Sequence, residues 1–80
     1  MSWNYRVIRS VDPNGNEFHA IHEVYYGDGV EPEGWTATPV APCGDDLNEV
    51  RSTLQHMHRA LDEPVLTVVL HEGKEFLREL

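Results

Sequence analysis

Histidines are the side chains of this chain most able to bind a metal or to move protons, and there are five of them. His19 and His22 lie three residues apart in a strand-like segment, so their side chains point to opposite faces and cannot hold one ion together. His56 and His58 lie two apart in a predicted helix, where the spacing of four that suits zinc is missing. No adjacent pair of histidines therefore predicts a metal site.

Cys43 is the only cysteine, which excludes an internal disulfide and a multi-cysteine metal site. It comes just before a predicted helix, a position where nucleophilic thiols often lie. No histidine or carboxylate stands at a recognisable spacing from it, so we interpret it as an incidental thiol. Sites assembled from distant residues, such as His22 with Glu23 or Cys43 with His58, are the alternative. We predict no catalytic residue, no cofactor and no metal ligand.

The charge balance bears on the class of partner. The 80 residues carry 6 Lys+Arg against 14 Asp+Glu, a formal net charge of -8. A surface so acidic repels phosphate groups, which predicts neither a nucleic-acid partner nor binding to an anionic membrane. A basic protein partner fits this charge, as does the simpler interpretation that acidic residues keep a small protein soluble.

Length and apolar content predict one small domain over residues 1–80. The first residues, MSWNYRVIR, contain no apolar segment of signal-peptide length. The longest apolar segment, residues 65–70, is too short to span a bilayer. We therefore expect a soluble cytoplasmic protein, and a chain this short makes dimerisation an expectation as well.

Residues 43–64 show the clearest secondary-structure pattern, a helix. Asp46 is a good N-cap, Glu49 can reach back to the Asp46 amide, and Pro64 marks the end. Apolar residues recur at steps of three and four at Leu47, Val50, Leu54, Met57 and Leu61. Such a stripe predicts a core face covered by a sheet, with a groove-binding surface as the alternative.

The segments before the helix read as strands. Residues 3–11 alternate apolar with polar side chains, residues 12–15 (DPNG) form a turn, and residues 18–26 are rich in β-branched and aromatic types. A polar, turn-rich connection over residues 27–34 leads to a short third strand at 35–38.

The register of the first hairpin has two solutions. A two-residue loop at Asn14 and Gly15 sets Trp3 opposite Tyr26 and gives one apolar face. A type I turn with a glycine bulge shifts the pairing by one residue and divides the aromatic side chains between the faces. We favour the first register because it segregates apolar from polar side chains.

Residues 65–70 have strand composition with apolar side chains on both faces. They pair either within their own sheet or with the same segment of a second copy. Residues 72–80 carry Phe76, Leu77 and Leu80 at helical spacing, which fits a short terminal helix. The predicted fold is α+β, a two-layer sandwich of an antiparallel three- or four-stranded sheet with one long helix on one face, in the order β-β-β-α-β.

Four segments, WNYRV (3–7), AIHEVYY (20–26), PVAP (39–42) and ALDEPVL (60–66), resemble a family of small bacterial proteins of unassigned function. The layout of strand, strand, short strand, capped helix and strand is more distantly similar to the HicB-type antitoxin domain. That resemblance implies a partial ribonuclease-H-like fold that binds and blocks a small basic ribonuclease toxin. The chain lacks the clustered acidic residues of a ribonuclease-H active site, so the resemblance implies no catalytic residue.

These observations favour a non-enzymatic protein-interaction module. Its partner-binding surface is predicted from aromatic residues and from the last apolar strand, because exposed aromatic side chains mark interfaces. The predicted surface consists of Tyr25, Trp35, Val65, Val68 and Leu70. The partner is a basic protein or a second copy of the chain. The alternatives are the antitoxin-like inhibitor and a metal- or thiol-dependent activity through the histidines and Cys43.

Overall fold

A computed structural model describes residues 2–80 and shows an α+β fold with a five-stranded mixed sheet in the order β3-β2-β1-β4-β5. The elements are β1 (Ser2–Val11), β2 (Glu17–Tyr26), β3 (Pro32–Trp35), α1 (Leu47–His58), a 3₁₀ turn (Arg59–Asp62), β4 (Leu66–His71) and β5 (Lys74–Glu79). The α+β class is confirmed. The predicted antiparallel sheet of three or four strands is wrong, because β4 runs parallel to β1 and a fifth strand follows it.

The fifth strand replaces the predicted terminal helix. Glu72 and Gly73 have φ angles of 52° and 77°, and two consecutive residues at positive φ close a tight hairpin that matches the twist of its strands. Leu77 pairs with Val68 across this hairpin and is buried. A helix of so few residues is marginally stable on its own. The segment forms a strand because the turn brings it beside β4, where it can pair.

The strand β4 pairs within its own sheet. Ile8 pairs with Leu66 on one side, and β5 occupies the other side over the whole length of β4. Of the two predicted alternatives, the structure shows pairing within the same sheet: β5 covers one edge of β4, and β1 pairs with Leu66 and Thr67 on the other.

The register of the β1–β2 hairpin is the one that we did not favour. Trp3 pairs with Tyr25 and Arg6 with His22, one residue away from the predicted pairing of Trp3 with Tyr26. The turn decides this register: the Gly15 amide donates to the Asp12 carbonyl oxygen at 2.9 Å, and Gly15 has a φ of 87°. This is the β-turn with a glycine bulge that shifts the pairing by one residue.

Asp12 holds the turn in place. Its carboxylate oxygen Oδ1 accepts hydrogen bonds from the backbone amides of Asn14 and Asn16, each at 2.9 Å. The backbone hydrogen bond from Asn16 is the main reason that the pKa of Asp12 lies below its ordinary value. Local hydrogen bonding to one aspartate thus determines which side chains of β1 and β2 share a face.

The sheet curls, and its concave face contains the core. The edge strands β3 and β5 come into contact although three strands separate them in the sheet. The buried cluster on this face consists of Ile8, Val24, Leu66 and Leu77, with Tyr26, Trp35 and Val68 packed against it. Apolar side chains are covered on both faces of β1, so the protein gains little by placing all of them on one face. The register that we favoured on that ground is therefore wrong.

The helix lies over the opposite face, which we call the helix side. There, Val7 is buried together with Met57 of α1 and Ala60 of the 3₁₀ turn. The predicted covered stripe is wrong over most of its length, since Leu47, Leu54 and Leu61 are 70%, 50% and 63% exposed. Only the C-terminal end of the helical segment packs closely on β1. Within residues 2–80, no helix is both long enough and apolar enough to cross a membrane.

The local signals of the helix are largely confirmed. The Glu49 amide donates to Asp46 Oδ1 at 2.8 Å, as the N-cap prediction requires. The Glu49 carboxylate accepts a hydrogen bond from the backbone amide of Asp45. We had predicted the amide of the next residue, Asp46, as the donor. The helical segment ends at Glu63, whose backbone is extended before Pro64.

The third strand starts earlier than predicted. It covers Pro32–Trp35, most of which we had assigned to a loop, and the predicted strand at 35–38 is wrong. Pro32 is tolerated because β3 is an edge strand. Backbone hydrogen bonds from Thr36 to Glu23 and from Val40 to Ile21, both 3.0 Å, keep residues 32–40 beside β2.

Candidate interaction groove on the concave face

The structure divides the predicted partner-binding residues between the two faces of the sheet. Trp35 and Val68 lie together on the concave face, where both pack against the core cluster. Leu70 follows Val68 by two residues in β4, lies on the same face and is 73% exposed. Tyr25, opposite Trp3, and Val65, next to Leu66, face the helix side and do not join them.

A cavity of about 440 Å³ opens on the concave face between β3 and the β4–β5 hairpin. We call it the concave groove. Its lining includes Ile8, Ser10, His22, Trp35, Val68 and Glu75. Ile8, Trp35 and Val68 give the groove an apolar wall, and Ser10, His22 and Glu75 supply polar groups in about equal measure.

Exposed apolar side chains extend the groove toward the end of the sheet where β1 and β2 are connected. Phe18 is 61% exposed and pairs with Ser10. Carrying the register of β1 and β4 one residue past Arg9 sets Val68 beside Ser10, so Phe18, Ser10 and Val68 form a row across three strands. Sequence reasoning did not select Phe18. The alternation of β2 would have placed it on this face had the bulged register been chosen.

His22 is the buried polar side chain of the groove, and it is only 6% exposed. Its Nδ1 lies 2.9 Å from the carbonyl oxygen of Thr36. A carbonyl oxygen can only accept, so Nδ1 carries the hydrogen of this contact. The bulged register sets His22 opposite Arg6, on the concave face and away from the helix.

A second concavity, of about 470 Å³, lies on the helix side between β1 and α1. Trp3 and Tyr5 form one wall, with ring centroids 5.1 Å apart and ring planes at 85°. Arg59 and His56 line the opposite side. Burial, followed by the negative charge of Glu23, raises the pKa of Tyr5 above its ordinary value. The phenol therefore stays neutral and can donate a hydrogen bond into the cleft.

The remaining candidate groups are solvent-facing. Cys43 is a free, exposed thiol, and His56 and His58 are exposed on the helix. Among residues 2–80, no group of three or more His, Cys, Asp or Glu side chains is arranged to hold a metal ion. The concave groove is thus the place where buried polar and exposed apolar side chains converge.

Comparisons of the chain with protein-family models, with curated proteins and with solved structures give no match. The class of molecule is therefore defined by its own geometry, an α+β protein with a curled mixed sheet and an open groove on the concave face. What the groove binds has to be argued from its residues.

Proposed function

We propose that this chain is a non-enzymatic protein-interaction module that binds a partner protein in the concave groove. The observation that supports it is the group of accessible apolar side chains in and around this groove on the concave face. Leu70 and Phe18 are 73% and 61% exposed, beside the half-buried Trp35 and Val68. Large apolar and aromatic side chains gathered around a concavity are typical of interface centres.

The chemistry of the partner follows from charge. The chain carries a formal net charge of -8, and Glu75 lies in the groove lining itself. Opposite charge on a partner speeds encounter and selects against acidic competitors, and its effect weakens as salt screens the field. We therefore propose a basic partner with apolar side chains that enter between Trp35 and Val68.

A second copy of the chain is the other protein that this surface fits. Each copy carries a net charge of -8 over the whole chain, so association of two copies is opposed at low salt. Salt therefore distinguishes the two kinds of partner. Added salt should weaken a complex with a basic protein and strengthen a homodimer.

An antitoxin-like inhibitor is the more specific form of the proposal. Residues 2–71 follow the element order β-β-β-α-β, which is the layout on which the resemblance to HicB-type domains rests. A small basic ribonuclease toxin would have the charge that the groove favours. The order of elements and the acidity of the chain support this form.

The test uses two leucines of similar exposure. Leu70 beside the groove and Leu47 on the helix are 73% and 70% exposed, so aspartate at either position adds the same charge without emptying a buried site. Tagged wild-type, Leu70→Asp and Leu47→Asp proteins are expressed in the native host, and captured proteins are identified by mass spectrometry at low and high salt.

We expect wild type and Leu47→Asp to capture the same small basic protein at low salt, and Leu70→Asp to lose it. A partner retained by Leu70→Asp, or lost equally from both variants, would contradict the groove as the binding surface. Light scattering across the same salt range tests the homodimer. If the molecular mass doubles with rising salt in wild type but not in Leu70→Asp, the partner is a second copy of the chain and not a basic protein.

A further inference from the structure

A buried arginine lies elsewhere on the concave face and has no role in the proposed interaction. Arg6 is only 7% exposed. Its Nη1 donates to the Tyr26 hydroxyl at 3.1 Å and its Nη2 to the Pro64 carbonyl oxygen at 2.7 Å. Its Nε is buried without a hydrogen-bond partner. The guanidinium thus ties β1 to the start of β4 and still keeps donors unused.

Arg6 also forms no ion pair within 4.0 Å in the described residues. Among residues 2–80, the ion pairs within 4.0 Å are Arg9 with Glu17 and His71 with Glu72, and neither includes Arg6. Its two hydrogen-bond partners are neutral. A buried charge is costly unless an opposite charge is near it, so the site favours an anion.

A cavity of about 470 Å³ is present at this position, and Arg6 lines it. Leu66 and Leu77 supply apolar wall, while Glu31 and Glu79 also line the cavity. Each terminal nitrogen of a guanidinium carries two hydrogens, and one on each is used by Tyr26 and Pro64. The second hydrogen of each terminal nitrogen and the Nε hydrogen remain as donors, and neighbouring N–H groups of a guanidinium suit the two oxygens of a carboxylate.

We propose that this cavity binds a small organic acid, with its single carboxylate on Arg6 and its apolar body against Leu66 and Leu77. Apart from Arg6, the lining carries the two carboxylates of Glu31 and Glu79 against the one guanidinium of Arg78. This excess of negative charge opposes a second negative charge on the ligand, so the site prefers a monocarboxylate to phosphate. The carboxylate belongs either to a free acid or to the C-terminus of a short peptide.

The experiment is an NMR titration of the ¹⁵N-labelled protein with butyrate, butyramide and inorganic phosphate. Butyramide has the shape of butyrate without its charge. We expect butyrate to shift the amide signals of Leu66 and Leu77 and the Arg6 Nε signal in a saturable way. Butyramide and phosphate should each bind at least about tenfold more weakly than butyrate. Butyramide loses the charge-assisted hydrogen bonds to Arg6, and phosphate brings a second negative charge that is repelled.

Peptides ending in leucine, as free acids and as amides, distinguish the two sources of the carboxylate. Tighter binding of the peptide acid than of butyrate identifies a chain terminus, and the reverse order identifies a free acid. Equal binding of butyrate and butyramide, tighter binding of phosphate, or no saturable shift would each overturn the proposal. These arms use the wild-type protein and so do not depend on any variant folding.

Two variants sharpen the assignment. Arg6→Met should weaken butyrate binding by about tenfold or more, whereas Arg51→Met, which removes an exposed arginine of the helix, should leave it unchanged. Butyrate binding that survives Arg6→Met would overturn the assignment. Leu70→Asp should lose the protein partner and keep butyrate binding, so failure of one proposal is distinguishable from failure of the other.

Discussion

The two faces of the sheet differ in how they are covered. On the concave face, Ile8, Val24 and Leu66 are at most 2% exposed, and the sheet itself encloses them by curling until β3 meets β5. On the helix side, a twelve-residue helix leaves Leu54 half exposed and buries Met57 alone among its own residues. In this small chain, curvature of the sheet builds the core, and the helix contributes less than its apolar stripe implies.

The difference follows from how each face obtains its contacts. Strands of the curled sheet bring residues from β1, β2, β4 and β5 into one cluster, so each buried side chain is shared by several elements. The helix contacts β1 mainly through its last residues and the following 3₁₀ turn. Its first turns are held by capping bonds, which are local.

The largest expected effect compares the two faces directly. Leu66→Ala should lower the free energy of unfolding by about 2–5 kcal/mol, because it empties a fully buried position in the concave core. Leu61→Ala, the same substitution at a residue that is 63% exposed on the helix side, should cost less than about 1 kcal/mol. Urea denaturation measures both, and equal losses would show that the helix side carries as much of the stability.

The next effect concerns the turn that sets the register. Gly15→Ala should cost about 1–2 kcal/mol, because alanine resists the φ of 87° found there. Gly29→Ala is the matched control: an added Cβ meets nothing within 4 Å at either position, and Gly29 lacks a positive φ. Thermal denaturation of the two variants checks this. Equal stability would mean that the turn adapts, and that the bulge does not specify the concave core.

The helix should respond locally. Asp46→Ala removes the cap that accepts from the Glu49 amide, at a cost of about 1 kcal/mol. Because the helix packs sparsely, we expect faster hydrogen exchange in α1 and unchanged protection in β1 and β4. Asp45→Ala is the control, since the Asp45 side chain makes no capping bond. Exchange that rises equally in the sheet would show that the helix is coupled to the core.

The smallest effect is a pH dependence at Asp12. Its pKa is lowered in the folded protein, chiefly by the Asn16 backbone amide, so the carboxylate stabilises the fold above the unfolded pKa. That contribution is lost as pH falls through the folded value. Asp12→Asn cannot titrate, so the stability advantage of wild type over this variant should be largest near neutral pH and shrink below about pH 4. A difference independent of pH would mean that the charge of Asp12 does not hold the turn.

Prediction from sequence succeeded where one residue acts on its near neighbours. Asp46 and Pro64 mark the ends of the helical segment, and most of the predicted strand 65–70 is found in β4, Leu66–His71. It failed at residues 72–80, where Glu72 and Gly73 close a hairpin that only a neighbouring strand makes favourable. The site was found in part: Trp35, Val68 and Leu70 share the concave face, while Tyr25 and Val65 lie on the other.

Local signals in the chain specify the helix, the first two strands and the α+β class, because caps, turns and alternation act over a few residues. Contacts between distant residues decide the rest. The pairing of Ile8 with Leu66 makes the sheet mixed, and the Arg6 bond to the Pro64 carbonyl joins residues 58 positions apart. The meeting of β3 with β5 encloses the core and leaves much of the helix stripe exposed. These contacts depend on how the whole sheet twists and closes, which no short stretch of sequence encodes.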